Sequence, residues 1–339
     1  MGPTMRDVAE RAGVSVATVS RSLAGSPRVA ADVRERVRMA AEELGYFASR
    51  LPANLRAKGV RILALVVGNV RNAYFPELID GCLDAAHAAG YPLIFGDSDE
   101  DPDRESEILL QLATERVAGV AIASADGRSK GLDRLLHLGI PVVAVDRRLP
   151  RLAVDTVTVD NERAVYQAMQ HLIGLGHRRI GLMGGPLGLS TLAERERGYC
   201  RALCDAGLAS DAELIIRGDL RQETAQTLAP RLMRLDRPPT AIVTTNDLST
   251  IGTLHALRAL GIRVPDDVSV IGFDDRVGAD LFDPPLTTIT QPVFDIGRRA
   301  MELLVRRTGA PGAAPEELVL EPRLVLRGST ARVPNSEEV

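Results

Sequence analysis

Eight short apolar runs recur along the body of this chain: RILALVV (61–67), YPLIF (91–95), VAGVAIA (117–123), IPVVAVD (140–146), RRIGLMGG (178–185), ELIIRG (213–218), TAIVTT (240–245) and DVSVIGFD (267–274). Helical patterns separate them. Short continuous Val/Ile runs spaced in this way imply parallel strands buried on both faces. Two successive sets of four to five strand–helix units suggest two doubly wound lobes rather than one large sheet. In such sheets ligands bind beyond the carboxyl ends of the strands. The residues just after each run are therefore expected to line a cleft.

A length of 339 residues suits two or three domains. The content of 45% hydrophobic and 25% charged residues is that of a soluble globular protein. Aromatics make up only 3% and Trp is absent, so the cores must be built from Val, Leu, Ile and Ala. The three cysteines, Cys82, Cys200 and Cys204, are odd in number and lack metal-ligand spacing, since the last two fit one helix face. They read as reduced thiols of a cytosolic protein. No basic-then-apolar signal segment opens the sequence, and no apolar run reaches membrane-spanning length. A cytoplasmic protein without a membrane partner is expected. The net charge of −4 is uneven: residues 1–59 hold 10 Lys+Arg against 6 Asp+Glu, or +4, and the remainder 31 against 39, or −8. A small basic head on an acidic body suggests that the head meets a polyanion.

Within the head, Thr4 and Asp7 form a capping box before a short helix with Val8, Ala9 and Ala12 inward. Gly13 can take the positive φ that stops it. Ser15 caps a second helix over about 16–24, with Val19 and Leu23 inward. Two short helices joined by a Gly-containing turn make a helix-turn-helix. A third helix over about 31–44 brings Val33, Val37, Ala40, Ala41 and Leu44 to the same core and ends at Gly45. The second helix has the dimensions of a recognition helix for the DNA major groove. Val16 and Ala17 would face base edges, and Thr18, Ser20 and Arg21 would reach bases or phosphates. Thr4, Arg6, Ser15, Arg28 and Lys58 complete the expected DNA contacts of the head.

The whole segment TMRDVAERAGVSVATVSRSLAGSPRVAADVRERVRMAAEELGYFASRLPANLRAKG resembles the DNA-binding head of the lactose/galactose repressor family of bacterial regulators. Val-Ser-x-x-Thr-Val-Ser-Arg at 14–21 and Glu-Leu-Gly-Tyr at 43–46 together are specific. The resemblance implies a hinge helix over 48–59, in which Leu55 matches a leucine that wedges between base pairs in the minor groove and bends the DNA. Pro52 stands where the family usually has alanine, and Ala24 and Ala30 where Asn and Ser are frequent. Proline is tolerated in a first helical turn, so a hinge helix starting near Arg50 survives it. Apolar Val16 and Ala17 can touch thymine methyls but make no bidentate base hydrogen bonds.

NAYFPELIDG, LGHRRIGLMGGP, RERGY, PTAIVTTNDLSTIG, VPDDVSVIGFDD and PPLTTITQP extend the resemblance over nearly the whole chain. They are similar to the effector-binding core of these repressors, which implies two lobes like those of periplasmic binding proteins, each around a doubly wound parallel sheet. The expected division is a helix-turn-helix domain over 1–47, the hinge, one lobe over 60–160 plus 291–320, a second over 161–290 plus 321–330, and a tail over 331–339. Polar groups after the strand runs, with one or two aromatics, suit a polyhydroxylated small molecule. By position the resemblance implies ligand contacts at Tyr74, Phe75, Asp146, Arg147, Thr191, Arg195, Asn246, Asp274 and Gln291; Ser124, at a strand end, joins them. Leu189 and Leu220 stand where the purine-responsive member has ligand-contacting arginine and phenylalanine, which favours a sugar or sugar derivative over a purine.

Other features read as structure. GGPLG at 184–188 is a strand-end turn, since no Gly-Lys-Ser/Thr follows. His177 has no metal partner at ligand spacing, and acidic DSDEDPD at 97–103 lacks a Ca²⁺-loop pattern and reads as a solvated loop capping the next helix. No nucleophile–base arrangement, metal site or cofactor motif stands out, which argues against an enzyme. A transport binding protein shares the two-lobed core but needs export, and it lacks a DNA-binding head. The reading that remains is a ligand-responsive transcription regulator. It binds a pseudo-palindromic operator on double-stranded DNA, and a small effector sets its affinity. The tail RVPNSEEV carries no leucine heptads, so a homodimer is expected rather than a tetramer.

Overall fold

The computed structural model describes residues 4–23, 26, 29–44, 61–275, 278–310 and 312–333. Three helices come first: α1 (Met5–Ala12), α2 (Val16–Leu23) and α3 (Ala31–Leu44). Thr4 opens α1 with a reciprocal capping box, in which the Asp7 N–H donates to Thr4 Oγ1 and the Thr4 N–H to Asp7 Oδ2. Gly13 ends the helix at φ 67°, left-handed backbone that a side chain would strain. Ser15 Oγ accepts from the Thr18 N–H at the start of α2. Val8, Ala9 and Ala12, Val19, and Val37, Ala40 and Ala41 close a core shared by the three helices. The hinge segment with Pro52, Leu55 and Lys58, and also Ala24 and Arg28, lie outside the described residues.

The body contains two six-stranded sheets. The first is ordered β11-β5-β4-β3-β1-β2, from β1 (Leu63–Val67), β2 (Leu93–Asp97), β3 (Gly119–Ile122), β4 (Val142–Val145), β5 (Asp155–Val159) and β11 (Glu317–Leu320). The second is ordered β12-β10-β9-β8-β6-β7, from β6 (Ile180–Gly184), β7 (Ile215–Arg217), β8 (Ala241–Thr244), β9 (Ser269–Phe273), β10 (Thr287–Thr290) and β12 (Arg323–Val325). All pairings are parallel except that of β12, an antiparallel edge strand on β10. Helices alternate with the strands: α4 (Tyr74–Ala88), α5 (Pro102–Glu115), α6 (Lys130–His137), α7 (Asn161–Gly174), α8 (Ser190–Asp205), α9 (Gln222–Leu228), α10 (Pro230–Met233), α11 (Asp247–Ala259) and α12 (Val293–Gly309). The chain passes from one sheet to the other after β5, after β10 and after β11.

Each of the eight apolar runs holds a strand, but four strands lie outside those runs. In β5 (DTVTV) and β10 (TTIT) threonines interrupt the aliphatic pattern, although Thr158, Thr287 and Thr288 are fully buried. Thr158 meets the cost of burial by donating to the Asp146 carbonyl at 2.9 Å. β11 and β12 are short edges. The expectation of burial on both faces fails for the outer strand β7, whose residues are half-buried or exposed, and most clearly for β2. This edge strand leaves Phe95 59% exposed and Ile94 37% exposed, because no strand pairs beyond it.

Glycines set how closely helices cover the sheets. α4 and α12 cross so tightly that a Cβ on Gly81 would lie 2.0 Å from the Phe294 carbonyl oxygen, and one on Gly297 2.2 Å from that of Leu78. In the second lobe a Cβ on Gly198 of α8 would lie 2.2 Å from the Glu162 carbonyl oxygen of α7. These obstacles are backbone and cannot swing aside. Gly81→Val and Gly198→Val are therefore expected to destabilise by more than the roughly 1–3 kcal/mol usual for overpacking. Gly174→Ala, whose Cβ meets nothing within 4 Å, should be neutral or better in the same denaturation series.

Candidate functional site

Between the lobes lies a cleft whose walls are the carboxyl-terminal ends of strands from both sheets. The first lobe contributes Asn69 to Phe75 after β1, Glu100 after β2, and Asp146 and Arg147 after β4. The second contributes Thr191 and Arg195 on α8, Leu220 and Arg221 after β7, Asn246 after β8 and Asp274 after β9. Gln291 comes from the crossing segment that follows β10.

Asp146 and Asp274 occupy equivalent places. β4 is the fourth strand of its lobe in chain order and β9 the fourth of the other, and each aspartate follows its strand. The Asp146 N–H donates to the Val157 carbonyl and the Asp274 N–H to that of Ile289, each at 2.9 Å. Both take left-handed backbone, φ 66° and 70°, sparsely populated by residues other than glycine. Both side chains are buried. Burial pushes the Asp274 carboxyl up to about 6, against the pull of Arg195 and of a 2.6 Å hydrogen bond from Gln291 Nε2. Burial raises Asp146 as well, opposed by Arg147 and Arg195.

Arg195 is buried, and burial lowers its pKa against the opposing pull of Asp274 and Asp146. Its guanidinium lies 3.6 Å over the Phe273 ring. Nε donates to Asn161 Oδ1 at 2.8 Å and Nη1 to the Thr245 carbonyl. No ion pair joins Arg195 to Asp274 directly. Arg147 forms a bidentate pair with Glu100, 2.7 Å on each arm, and also donates to the Ser124 carbonyl at 2.9 Å. Glu100 in turn folds over Gly68, where a Cβ would lie 2.2 Å from Glu100 Oε1.

Among the described residues, four buried side-chain polar atoms lack a well-formed hydrogen bond, and three belong to residues lining this cleft: Tyr74 Oη and Arg147 Nε, which both lie against Asp146 (Nε 3.4 Å from its Oδ2), and Gln291 Oε1. Burial and the nearby Asp146 hold the Tyr74 hydroxyl well above its ordinary pKa, so it stays a donor. The cleft thus offers the free acceptor Gln291 Oε1, and donors only loosely held by Asp146, beside two carboxylates and the edge-to-face pair of Tyr74 and Phe75, 5.3 Å apart.

Nine of the ten expected ligand contacts line this cleft, and Ser124 does not. Its hydroxyl donates to Glu105 Oε1 at 2.8 Å and accepts from the Gly127 N–H, because the side chain turns away from the strand end into the lobe. Asn246 lines the cleft but is half spent: Oδ1 caps α11 through Ser249, and Nδ2 donates to the Leu220 carbonyl. Sequence reasoning missed Glu100 and Arg221. The acidic segment after β2, taken for a solvated loop, sends Glu100 to Arg147 and Asp99 to Arg221 of the other lobe at 3.2 Å. Its place beyond a strand end was the available signal. The same segment does cap the next helix, through Asp101. His177 bridges Thr240 and the Ala331 carbonyl, and no group of three or more potential metal ligands occurs among the described residues.

In the head, the expected contact face of α2 is open. Val16 is 43% exposed, Ser15, Ala17, Ser20 and Arg21 are exposed, and Thr18 is half-buried. Arg21 Nε bonds the Ala17 carbonyl at 3.1 Å, laying the side chain along the helix. Thr4 and Arg6 are exposed at α1. No helix among the described residues is long and apolar enough to cross a membrane.

Comparison with known proteins bears on both parts. Residues 4–49 match the pattern of bacterial regulatory proteins of the lacI family, and residues 169–330 that of a periplasmic binding protein-like domain. The HTH-type transcriptional repressor CytR of Escherichia coli (strain K12) is 33% identical over 332 residues, covering 98% of this chain and 97% of that protein. A solved transcriptional regulator CelR–cellobiose complex superposes with a TM-score of 0.74 at 33% identity, covering 96% and 99% of the two chains. A LacI family transcriptional regulator from Enterococcus faecium with bound ribose gives a TM-score of 0.74 at 26% identity, covering 81% and 100%.

Asp274 supplies a pH test. Its folded pKa, about 6, lies above the ordinary 3.8, so the folded chain holds this proton more tightly than the unfolded chain. The contribution is therefore fully present at acid pH and is lost as pH rises through about 6, by up to roughly 3 kcal/mol. The stability difference between the parent and Asp274→Asn should change between pH 4.5 and 7 with that sign. A difference constant across the range in urea titrations would show the site to be wetter than described.

Proposed function

Because the chain belongs to the lacI family of bacterial regulatory proteins, we propose that it is a ligand-responsive DNA-binding repressor that binds a pseudo-palindromic operator as a homodimer under control of a sugar or sugar derivative. The observation that carries the effector half is the concentration of buried carboxylates, guanidinium groups and incompletely hydrogen-bonded polar atoms on one cleft. A buried polar atom left unsatisfied costs about 1–3 kcal/mol, and a ligand rich in hydroxyls satisfies donors and acceptors together. Asp146 and Asp274 accept from hydroxyls, Arg195 and Tyr74 donate, and the aromatic pair covers an apolar ring face. Cellobiose and ribose in the two structural neighbours support the same class. Relatives that are transcription regulators support this reading over an enzyme.

In this reading residues 1–47 are the DNA-binding domain, 48–59 the hinge helix, and the two lobes divide at the three crossings. α2 enters the major groove, with Val16 and Ala17 on bases and Thr18, Ser20 and Arg21 on bases or phosphates. One such helix reads only a few base pairs, so a two-fold dimer is needed, whose central step takes both Leu55 side chains. Exposed Phe95 and Ile94 on the unpaired edge of β2, and Leu83 (45% exposed) on α4 packed against β1 and β2, support a dimer contact on the first lobe. Ligand closing the cleft changes the relation between the lobes, hence the spacing of two hinge helices, and couples effector to operator by differential binding to two states. Such a protein acts in the cytoplasm.

Gel shifts against genomic operator candidates test the DNA half; no sequence-selective shift would end the proposal. Arg21→Ala should weaken operator binding and leave sugar affinity unchanged. Arg195→Ala and Asp274→Ala should do the reverse, lowering effector affinity about ten- to a hundred-fold, the loss of a charge-assisted hydrogen bond of roughly 1.5–3 kcal/mol. Parallel loss of melting temperature, operator binding and effector binding in these two variants would make the residues structural instead. Phe95→Glu should shift light scattering at micromolar concentration from dimer to monomer.

A further inference from the structure

Glu194 is a buried carboxylate beside the cleft that lines none of its wall. A carboxylate removed from water persists only where its acceptor positions are filled. Both oxygens of Glu194 are engaged, and their partners belong to different lobes. Oε1 accepts from Nη1 of Arg148, in the loop after β4 of the first lobe. Oε2 accepts at 3.1 Å from Nδ2 of Asn161, which begins α7 in the second.

The surroundings tie this carboxylate to both walls of the cleft. Ser190 and Glu194, four residues apart on α8, share one side of the helix and meet the same arginine: Ser190 Oγ accepts from the Arg148 N–H at 2.9 Å. The next residues around the helix, Thr191 and Arg195, line the cleft. Arg148 in turn directly follows Asp146 and Arg147, which line the cleft from the first lobe, and its Nε donates to Glu317 of β11 at 2.7 Å. On the other side of Glu194, Asn161 Oδ1 accepts from Arg195 Nε at 2.8 Å. An unbroken run of hydrogen bonds therefore leads from Arg195 through Asn161 and Glu194 to the segment that carries Asp146. A buried ion pair adds little net stability, because desolvation offsets its attraction, but it fixes the relative position of its two ends. The Arg221–Asp99 pair, which also joins the lobes, is partly exposed and fixes position far less strictly.

We propose that Glu194 is a positioning residue that sets the arrangement of the two lobes and, with it, the affinity for operator. It touches no ligand. One oxygen holds Arg148 and the other, through Asn161, holds Arg195, so an effector that draws on Arg195 reaches the first lobe through Glu194. The inference rests on the reading of the cleft as the effector site of a DNA-binding regulator, and its test needs no effector.

The test compares the parent with Glu194→Gln, Arg148→Met and the double variant, all as full chains. Gln at 194 can still accept from Asn161, and Met at 148 keeps the apolar stem without the charge. Melting temperature should fall in Arg148→Met, where Glu194 is left buried and unpaired, and recover in the double variant, where neither charge is stranded. Lobe arrangement is read by double electron–electron resonance between labels at Cys204, exposed on α8, and at Glu107→Cys, exposed on α5, in a Cys200→Ser background; Cys82 is buried. Dilution with unlabelled chain confines the measured distance to one protomer. The parent should give one narrow distance. Both single variants and the double should give a broadened or second distance, the double no more altered than the more altered single variant. Operator affinity in gel shifts should change about threefold or more in the same three proteins. Distances equal to the parent's, or distances that return to the parent's in the double variant together with melting temperature, make the pair merely structural and overturn the proposal. Parental operator affinity beside an altered distance overturns it too, since the lobes then rearrange without consequence for the head. A parent without sequence-selective operator binding fails the regulator reading instead, and the distances still decide whether Glu194 positions the lobes.

Discussion

A buried guanidinium governs how this cleft can be built. Among the described residues no carboxylate forms an ion pair with Arg195, which sits over the Phe273 ring, and Asp274 from its own lobe and Asp146 from the other lower the penalty for its charge. The dependence is mutual, since burial pushes both aspartates up and Arg195 is among the groups that oppose it. Charges removed from water remain tolerable only when others balance them. Neither lobe carries a balanced set alone: Arg195 and Asp274 belong to one, Asp146 to the other. The relation of the lobes is therefore an electrostatic matter as well as one of chain connection.

The segments that cross between lobes carry that balance. Asn161, just after the first crossing, accepts from Arg195 Nε and donates through Nδ2 to Glu194 Oε2 at 3.1 Å. Glu194 holds Arg148 of the first lobe, and Arg148 also reaches Glu317 on β11 at 2.7 Å, next to the third crossing. Gln291, on the second crossing, donates to Asp274. A group that moves Arg195 or Asp274 thus acts on hydrogen bonds anchored at all three crossings. On the open side of the cleft, the Arg221–Asp99 pair is partly exposed and so is weak and screened by salt. That is the side free to part.

Legibility in the sequence followed how local the determining physics is. The head could be read almost to the residue, because capping at Thr4 and Ser15 and the stop at Gly13 are decided within a turn of helix. Strands β1 to β4 and β6 to β9 announced themselves as aliphatic runs. β5 and β10 did not, since their threonines are buried only by virtue of neighbours distant in sequence, as Thr158 on Asp146 illustrates. The strand-end rule located the cleft but not the direction of each side chain. It admitted Ser124, whose hydroxyl turns to Glu105, and an acidic composition concealed Glu100, whose partner lies 47 residues away. Pairings across a lobe or between lobes are properties of the assembled fold, and no window of sequence contains them.

The incompletely hydrogen-bonded atoms of the cleft follow from the same logic. A core under selection for stability alone would satisfy Gln291 Oε1 or replace it with an apolar group, since a half-satisfied polar network is the less stable choice. Nothing in the structure explains the fourth such atom, Thr253 Oγ1 in α11, outside the cleft. The other three cluster where strands of both lobes end, beside strained left-handed aspartates. A ligand that hydrogen-bonds groups of both lobes at once gains most from the arrangement that brings those groups together. A ligand with that preference shifts the balance between lobe arrangements, which is what coupling to a DNA-binding head requires.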